Sequence, residues 1–245
     1  MKPITEKPWL LIALATLLAL LLVRNVASAQ TPPPGKSDIV LSGFLTCPIG
    51  NGESTGCPSR LHYVDLTQGR TYLLRMDSSE FHSRLTLEDM HGNLLAADTD
   101  YFDSLDRTIV FRAPATGTYR LIATSSPPTS EGFYTIDLRE IPVMFRIEAS
   151  LTPRDPVANG CFHKTHEVTL VAGRRYIIDV ESNHFNAFLK LQDGGGAIVA
   201  FDDEGGGERP ARVVYTPLQT GNFRLVATSV SPFATGAFTL TVCED

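Results

Sequence analysis

Tryptophan is almost missing from this chain: of 245 residues one is Trp, and Trp9 lies near the N-terminus. A chain without Trp further on lacks the usual stacking platform of carbohydrate-binding faces. Positive charge is also short. Lys+Arg number 21 against 27 Asp+Glu, a net of -6, which argues against nucleic acid as a partner, since that needs a basic footprint. No HExxH, SxxK or P-loop occurs, so those metal-dependent, serine–lysine and nucleotide-binding constellations are missing. No segment after the N-terminal region holds a helical period of useful length. Gly 19 and Pro 16 suit a turn-rich β protein and are too few for collagen or a low-complexity coil.

What is present begins with an address. Lys2 and Lys7 precede an apolar run from Trp9 to Val23, and Ala27-Ser28-Ala29 offers small residues where a signal peptidase reads. Residues 1–29 are expected to be a helical signal peptide cleaved after Ala29. An uncleaved anchor is the rival, but fifteen residues of helix span about 22 Å, short of the roughly 30 Å hydrocarbon core. The expected location is secreted or periplasmic in a bacterium, with membrane contact only through an uncleaved signal. No Cys follows the apolar run, which excludes lipidation there. Cleavage removes more positive than negative charge and leaves an acidic chain. Residues 30–37 (QTPPPGKS) read as an extended tether, because consecutive prolines favour polyproline II.

The chain then repeats itself at an offset of 104 residues. Leu66, Gly69, Arg70 and Tyr72 match Leu170, Gly173, Arg174 and Tyr176. Leu85, Leu87, Asp89 and Gly92 match Leu189, Leu191, Asp193 and Gly196. Gly117, Arg120, Leu121 and Ala123 match Gly221, Arg224, Leu225 and Ala227, and Gly132 matches Gly236. The offset slips only between Asp98 and Gly117. Each copy is long enough for its own core, so two domains are expected, 38–141 and 142–245, joined near Arg139 to Pro142. Within each copy the period is two: Tyr72, Leu74 and Met76 in the first, Tyr176, Ile178 and Val180 in the second. That is one face of a half-buried strand. Turn signals such as Asp193-Gly194-Gly195-Gly196 lie between strands. The fold class is therefore all-β, two tandem β-sandwiches of jelly-roll-like type.

The runs from Gln68-Gly69-Arg70-Thr71-Tyr72 to Gly132-Phe133-Tyr134-Thr135-Ile136, and from Ala172-Gly173-Arg174-Arg175-Tyr176 to Gly236-Ala237-Phe238-Thr239-Leu240, resemble the bacterial pre-peptidase C-terminal domain, twice over. The resemblance implies small secreted β-sandwich modules, often attached to extracellular hydrolases, that assist folding, secretion or substrate contact. Some collagenase-borne relatives bind collagen and calcium. His82 and Asn186 stand where that pattern often has Asp, which weakens the metal case.

Four cysteines behind a signal favour disulfides. The pairing Cys47–Cys57 and Cys161–Cys243 keeps each bond inside one copy, worth about 3 and about 4.5 kcal/mol in the loop-entropy model. Cys57 and Cys161, however, occupy equivalent repeat positions. Asp98 and Asp100 in the first copy, and Asp202, Asp203 and Glu204 in the second, cluster carboxylates as a Ca²⁺ site requires, although a solvated acidic turn explains them as well. Among six histidines, His163 and His166 on a strand point to opposite faces, and surface placement is the default. Exposed loop aromatics that could carry a ligand are Tyr101, Phe102, Phe162 and Phe233. The expected function is a non-catalytic, secreted binding or structural module contacting an extracellular protein or polysaccharide. Its alternatives are a calcium-stabilised adhesion or substrate-targeting module, or a chaperone or inhibitor of a separately encoded protease.

Overall fold

The period of two becomes strands along the whole described chain. The structure, a computed structural model, describes residues 38–46, 59–98, 107–126, 130–205 and 210–245. The expected signal and tether, Cys47, Cys57, Asp100, Tyr101 and Phe102 lie outside these residues, as do the side chains of Asp98 and Glu204. Seventeen strands and no helix occur among the described residues. Eight belong to the first copy: β1 (Ile39–Leu45), β2 (Ser59–Leu66), β3 (Thr71–Asp77), β4 (His82–Glu88), β5 (Leu94–Asp98), β6 (Arg107–Arg112), β7 (Gly117–Ser126) and β8 (Gly132–Glu140). Nine belong to the second: β9 (Val143–Leu151), β10 (Val157–Ala158), β11 (Cys161–Leu170), β12 (Tyr176–Glu181), β13 (Ala187–Gln192), β14 (Ile198–Gly205), β15 (Ala211–Tyr215), β16 (Gly221–Ser229) and β17 (Gly236–Glu244).

All pairings are antiparallel, and the two copies share one plan. Sheets β1-β8-β3-β6 and β2-β7-β4-β5 face each other in the first sandwich. Sheets β9-β17-β12-β15 and β10-β11-β16-β13-β14 do so in the second, where β10 is an added edge. Each sandwich closes its own core. Tyr72, Leu74, Met76, Leu85, Leu87 and Leu121 fill the first, and Tyr176, Ile178, Val180, Leu189, Leu191 and Leu225 the second. These residues recur at the repeat offset, so duplication of the sequence is duplication of the core.

One sheet of each sandwich is covered on both faces, which alternation alone does not announce. Leu73 and Ile177 point away from their own cores, yet both are buried, in a small cluster with Ile141 and Cys243. Burying each such aliphatic side chain is worth about 1.5–3 kcal/mol. Around this cluster the contacts are ionic. The Arg212 guanidinium grips Asp179 through Nε–Oδ1 at 2.7 Å and Nη2–Oδ2 at 2.8 Å. Its Nη1 donates to the Thr108 carbonyl of the other sandwich. Asp245 meets Arg75 and Arg139 of the first sandwich and Arg175 of the second. Backbone bonds from Ile141 N to Thr71 O and from Glu244 N to Pro142 O, at 2.9 and 3.1 Å, fix the short join.

The expected Cys161–Cys243 bridge does not form; both thiols are free. Cys161 opens the 10-residue β11. Cys243 pairs with Ile177, just beyond the turn that follows the far end of β11. About 30 Å of strand separates those ends, where a disulfide needs Cα atoms within about 7 Å. Membership of the same copy does not bring the two cysteines together, because β11 carries its first residue to the opposite end of the sandwich from Cys243.

Candidate functional site

The duplication supplies an internal control, because interactions present in both copies identify scaffold. The Tyr72 hydroxyl accepts from Thr67 N, and the Tyr176 hydroxyl from Val171 N, each at 3.0 Å. Thr116 Oγ1 accepts from Gln68 N, and Thr220 Oγ1 from Ala172 N, each at 2.9 Å. Arg70 pairs with Glu140 at 2.6 Å and Arg174 with Glu244 at 2.7 Å. Asp89 and Asp193 each accept two backbone N–H groups of their own turns, and the bonds from Asn93 hold the Asp89 carboxyl below its usual range. Gly92 and Gly196 complete those turns at φ of 87° and 88°, a region that suits glycine. The most conspicuous repeated residues thus serve the fold.

Function is then to be sought where the copies differ, and they differ on the faces turned away from the cores. On β4, Leu85 and Leu87 are buried, which turns Arg84, Thr86 and Glu88 outward. Row by row, Leu61, Ile122, Thr86 and Ala97 cross that sheet, followed by Tyr63, Arg120, Glu88 and Leu94. Tyr63 is exposed, and Arg120 pairs with Glu88 at 3.5 Å. On β13, Leu189 and Leu191 are buried and Phe188, Lys190 and Gln192 face outward. The equivalent rows read Thr165, Val226, Lys190 and Phe201, then Glu167, Arg224 and Gln192. Phe201 is 63% exposed. Its ring meets that of Phe188 edge-on, centroids 6.1 Å apart, and the Lys190 ammonium lies 4.5 Å from the Phe188 centroid. Phe188 and Phe201 stand where the first copy has Arg84 and Ala97. The second copy therefore carries an aromatic pair that the first lacks.

The expected site residues scatter. Phe162 is not exposed: it is 7% exposed and belongs to the second core, because β11 alternates inward at Phe162, Val168 and Leu170. Phe233 is 66% exposed. Its φ of 57° is unusual for a bulky residue. A bond from its N–H to Gly160 O at 2.9 Å and an edge contact with Phe162 hold it. Asp202 accepts from Arg212 N at 2.7 Å, and Asp203 follows it on an alternating strand, so the two carboxylates diverge. Among the described residues no three His, Cys, Asp or Glu side chains come together to hold a metal.

Two inward-facing histidines lay outside the original expectation of surface placement. His62 Nε2 is 2.7 Å from the Tyr134 hydroxyl, and burial, with Arg60 nearby, lowers its pKa. His166, at the equivalent position, is lowered by burial and by Lys164. Lys164 itself binds Asp155 at 2.6 Å, which lowers the carboxyl. Both imidazoles sit on inner strand faces and are occupied or covered, so they form no open site.

Sequence reasoning singled out neither Phe188 nor Phe201. A signal existed: Leu189 and Leu191 fix the parity of β13, and the 104-residue comparison shows Phe against Arg and Ala.

No family model and no curated protein matches the chain. Solved structures give distant likenesses. The CUB1-EGF-CUB2 segment of human MASP-1/3 is 10% identical over 83% of this chain and 99% of that one, with a TM-score of 0.24. A secreted protein of Eubacterium rectale is 10% identical over 84% and 73%, at 0.26. The CBM22-1–CBM22-2 tandem of Paenibacillus barcinonensis Xyn10C is 9% identical over 84% and 91%, at 0.24. At these scores the likenesses carry no argument about ligand or activity.

Proposed function

We propose that this is a non-catalytic, exported contact protein that grips an extracellular polymer, protein or polysaccharide, with an outer sheet face. The observation carrying this reading is the divergence of the outer faces over a shared scaffold. One scaffold presents Tyr63 beside the Arg120–Glu88 pair, the other Phe201 and Phe188 beside Lys190. Exposed rings on a rigid sheet make preorganised anchors, since little conformational entropy is lost when they dock. The leader ending in Ala27-Ser28-Ala29 supports export, and the likeness of both halves to pre-peptidase C-terminal domains supports a role in contact.

The test is retention of the exported chain on insoluble extracellular polymers: cellulose, chitin, peptidoglycan and fibrillar collagen. Retention on one of them that falls at least tenfold in Phe201→Ala supports the reading. Retention indifferent to both Phe201→Ala and Tyr63→Ala overturns it, as does turnover of the bound polymer.

A further inference from the structure

We infer that the outer face of β11-β16-β13-β14 binds a neutral polysaccharide, with Phe201 beneath one sugar ring and the Glu167–Arg224–Gln192 row taking hydroxyls. The inference rests on the contact-face reading above and names the ligand class of that face.

A pyranose ring offers two chemistries at once: an apolar C–H face and a rim of hydroxyls, neighbouring pairs of which match two-toothed groups such as carboxylate, guanidinium and amide. The face has both, in register. Phe201 lies exposed on β14, directly across from Lys190 on β13. Its ring is braced by the edge of Phe188, and Lys190, drawn over Phe188, leaves the Phe201 ring open. Two residues along β13, about 7 Å away, Gln192 pairs across with Arg224, and Arg224 with Glu167 on β11. The three side chains form a polar row about 10 Å long across three strands. It is a carboxylate, a guanidinium and an amide side by side, and all three project to solvent or to the half-exposed surface.

Charge selects among polymers. Lys190 and Arg224 are offset by Glu167 and Asp203, so the face has no net field to attract a polyanion. A protein partner of standard size prefers a desolvated apolar centre. Here Phe201, Val199 and Ile198 form a narrow apolar edge, with Val226 beside Lys190, interleaved with amide, hydroxyl and charged groups that need hydrogen-bonding partners. Phe takes the stacking position that Trp often fills.

The test is affinity electrophoresis of the exported chain in gels containing xylan, mixed-linkage β-glucan or galactomannan, with polygalacturonate as the anionic comparison and collagen binding measured in parallel. Retardation by one or more neutral polysaccharides is expected. It should fall at least tenfold in Phe201→Ala and several-fold in Gln192→Ala, and stay unchanged in Phe233→Ala. Because Phe201 is exposed, its variant should melt with the parent, which separates lost binding from lost fold. No retardation by any neutral polysaccharide, stronger retardation by polygalacturonate, or indifference to Phe201→Ala overturns the inference. Phe201-dependent binding to collagen without polysaccharide binding removes the glycan and leaves the contact face. Ligand binding indifferent to Phe201 and to Tyr63 removes both.

Discussion

Replacing Arg212 with Met tests the seam between the sandwiches most directly. Arg212 and Asp179 form a two-bond ion pair with side chains 17% and 4% exposed. The same guanidinium crosses to the Thr108 carbonyl. Truncation leaves the Asp179 carboxylate buried without its cation, a loss of about 3–5 kcal/mol. Domains of this kind hold about 5–15 kcal/mol in all, so at least about a fifth of the margin goes. In a domain of about 100 residues each kcal/mol moves the melting midpoint by about 4–8 °C, and a fall exceeding 10 °C is expected. The partner variant decides the cause. Asp179→Leu combined with Arg212→Met removes both charges, and replacing a buried pair by apolar residues of similar size is often neutral. The double variant should recover most of the loss, giving a large coupling term in a double-mutant cycle. Differential scanning calorimetry is the suitable assay, because the one Trp of the chain, Trp9, lies near the N-terminus, outside the described residues. Loss of less than about 1 kcal/mol in the single variant, or a double variant as unstable as the single, refutes the reasoning.

Acid should weaken the fold in a definite window. His62 and His166 have folded-state pKa values below their ordinary 6.5, so the unfolded chain binds more protons just below that pH, and stability falls as pH drops from 7 towards 5. Urea midpoints across that range should flatten in the His62→Gln, His166→Gln double variant; an unchanged slope refutes the assignment. Thiol labelling should distinguish the two described cysteines: Cys161 is half-exposed and reacts in the native state. Cys243 is buried, its thiol pushed up to about 12 by burial and by Asp179, and it should react only on unfolding; equal native rates contradict this. Gly43→Ala should destabilise the first sandwich by about 1–3 kcal/mol, because a Cβ there would collide with the buried Tyr134 ring and its hydroxyl. An unchanged melting curve refutes that close approach.

Much of the fold was legible because the determinants were local and doubled. Tyr72-Leu73-Leu74-Arg75-Met76 alternates, its counterpart alternates, and both become central strands. Between β8 and β9 lie only Ile141 and Pro142, while Arg139 and Glu140 end β8. What could not be read was covered by distant chain. Leu73 and Ile177 occupy outward positions by parity, and only packing of one copy against the other makes them core. Phe162 was expected in a loop, yet Asn159-Gly160 turns a hairpin, with φ of 51° and 81°, and β11 starts at once. The outer-face aromatics were hidden by the same alternation that revealed the core: an apolar residue on an outward position reads as one more strand former until the parity of its neighbours is fixed.

The seam also explains why the copies could not stay alike. Where two equivalent faces meet, equivalent positions approach one another: Leu73 joins Ile177 in one cluster, and Arg212 reaches Thr108 at a separation of 104 residues. An unmodified duplicate would set like charge against like along such a contact. Here the first copy has Arg75 where the second has Asp179, and the first adds Arg139 on its last strand while the second adds Asp245 at its end. Asp245 then meets both arginines. Complementarity of this kind ties each sandwich to one role in the pair. Exchange of the two charge sets, Arg75→Asp with Asp179→Arg, should therefore be tolerated less well than neutralising both positions, because Arg212 and Asp245 remain to select against the swap. Melting curves showing the exchange equal to the parent would mean that the seam is held by Leu73, Ile141 and Ile177 alone.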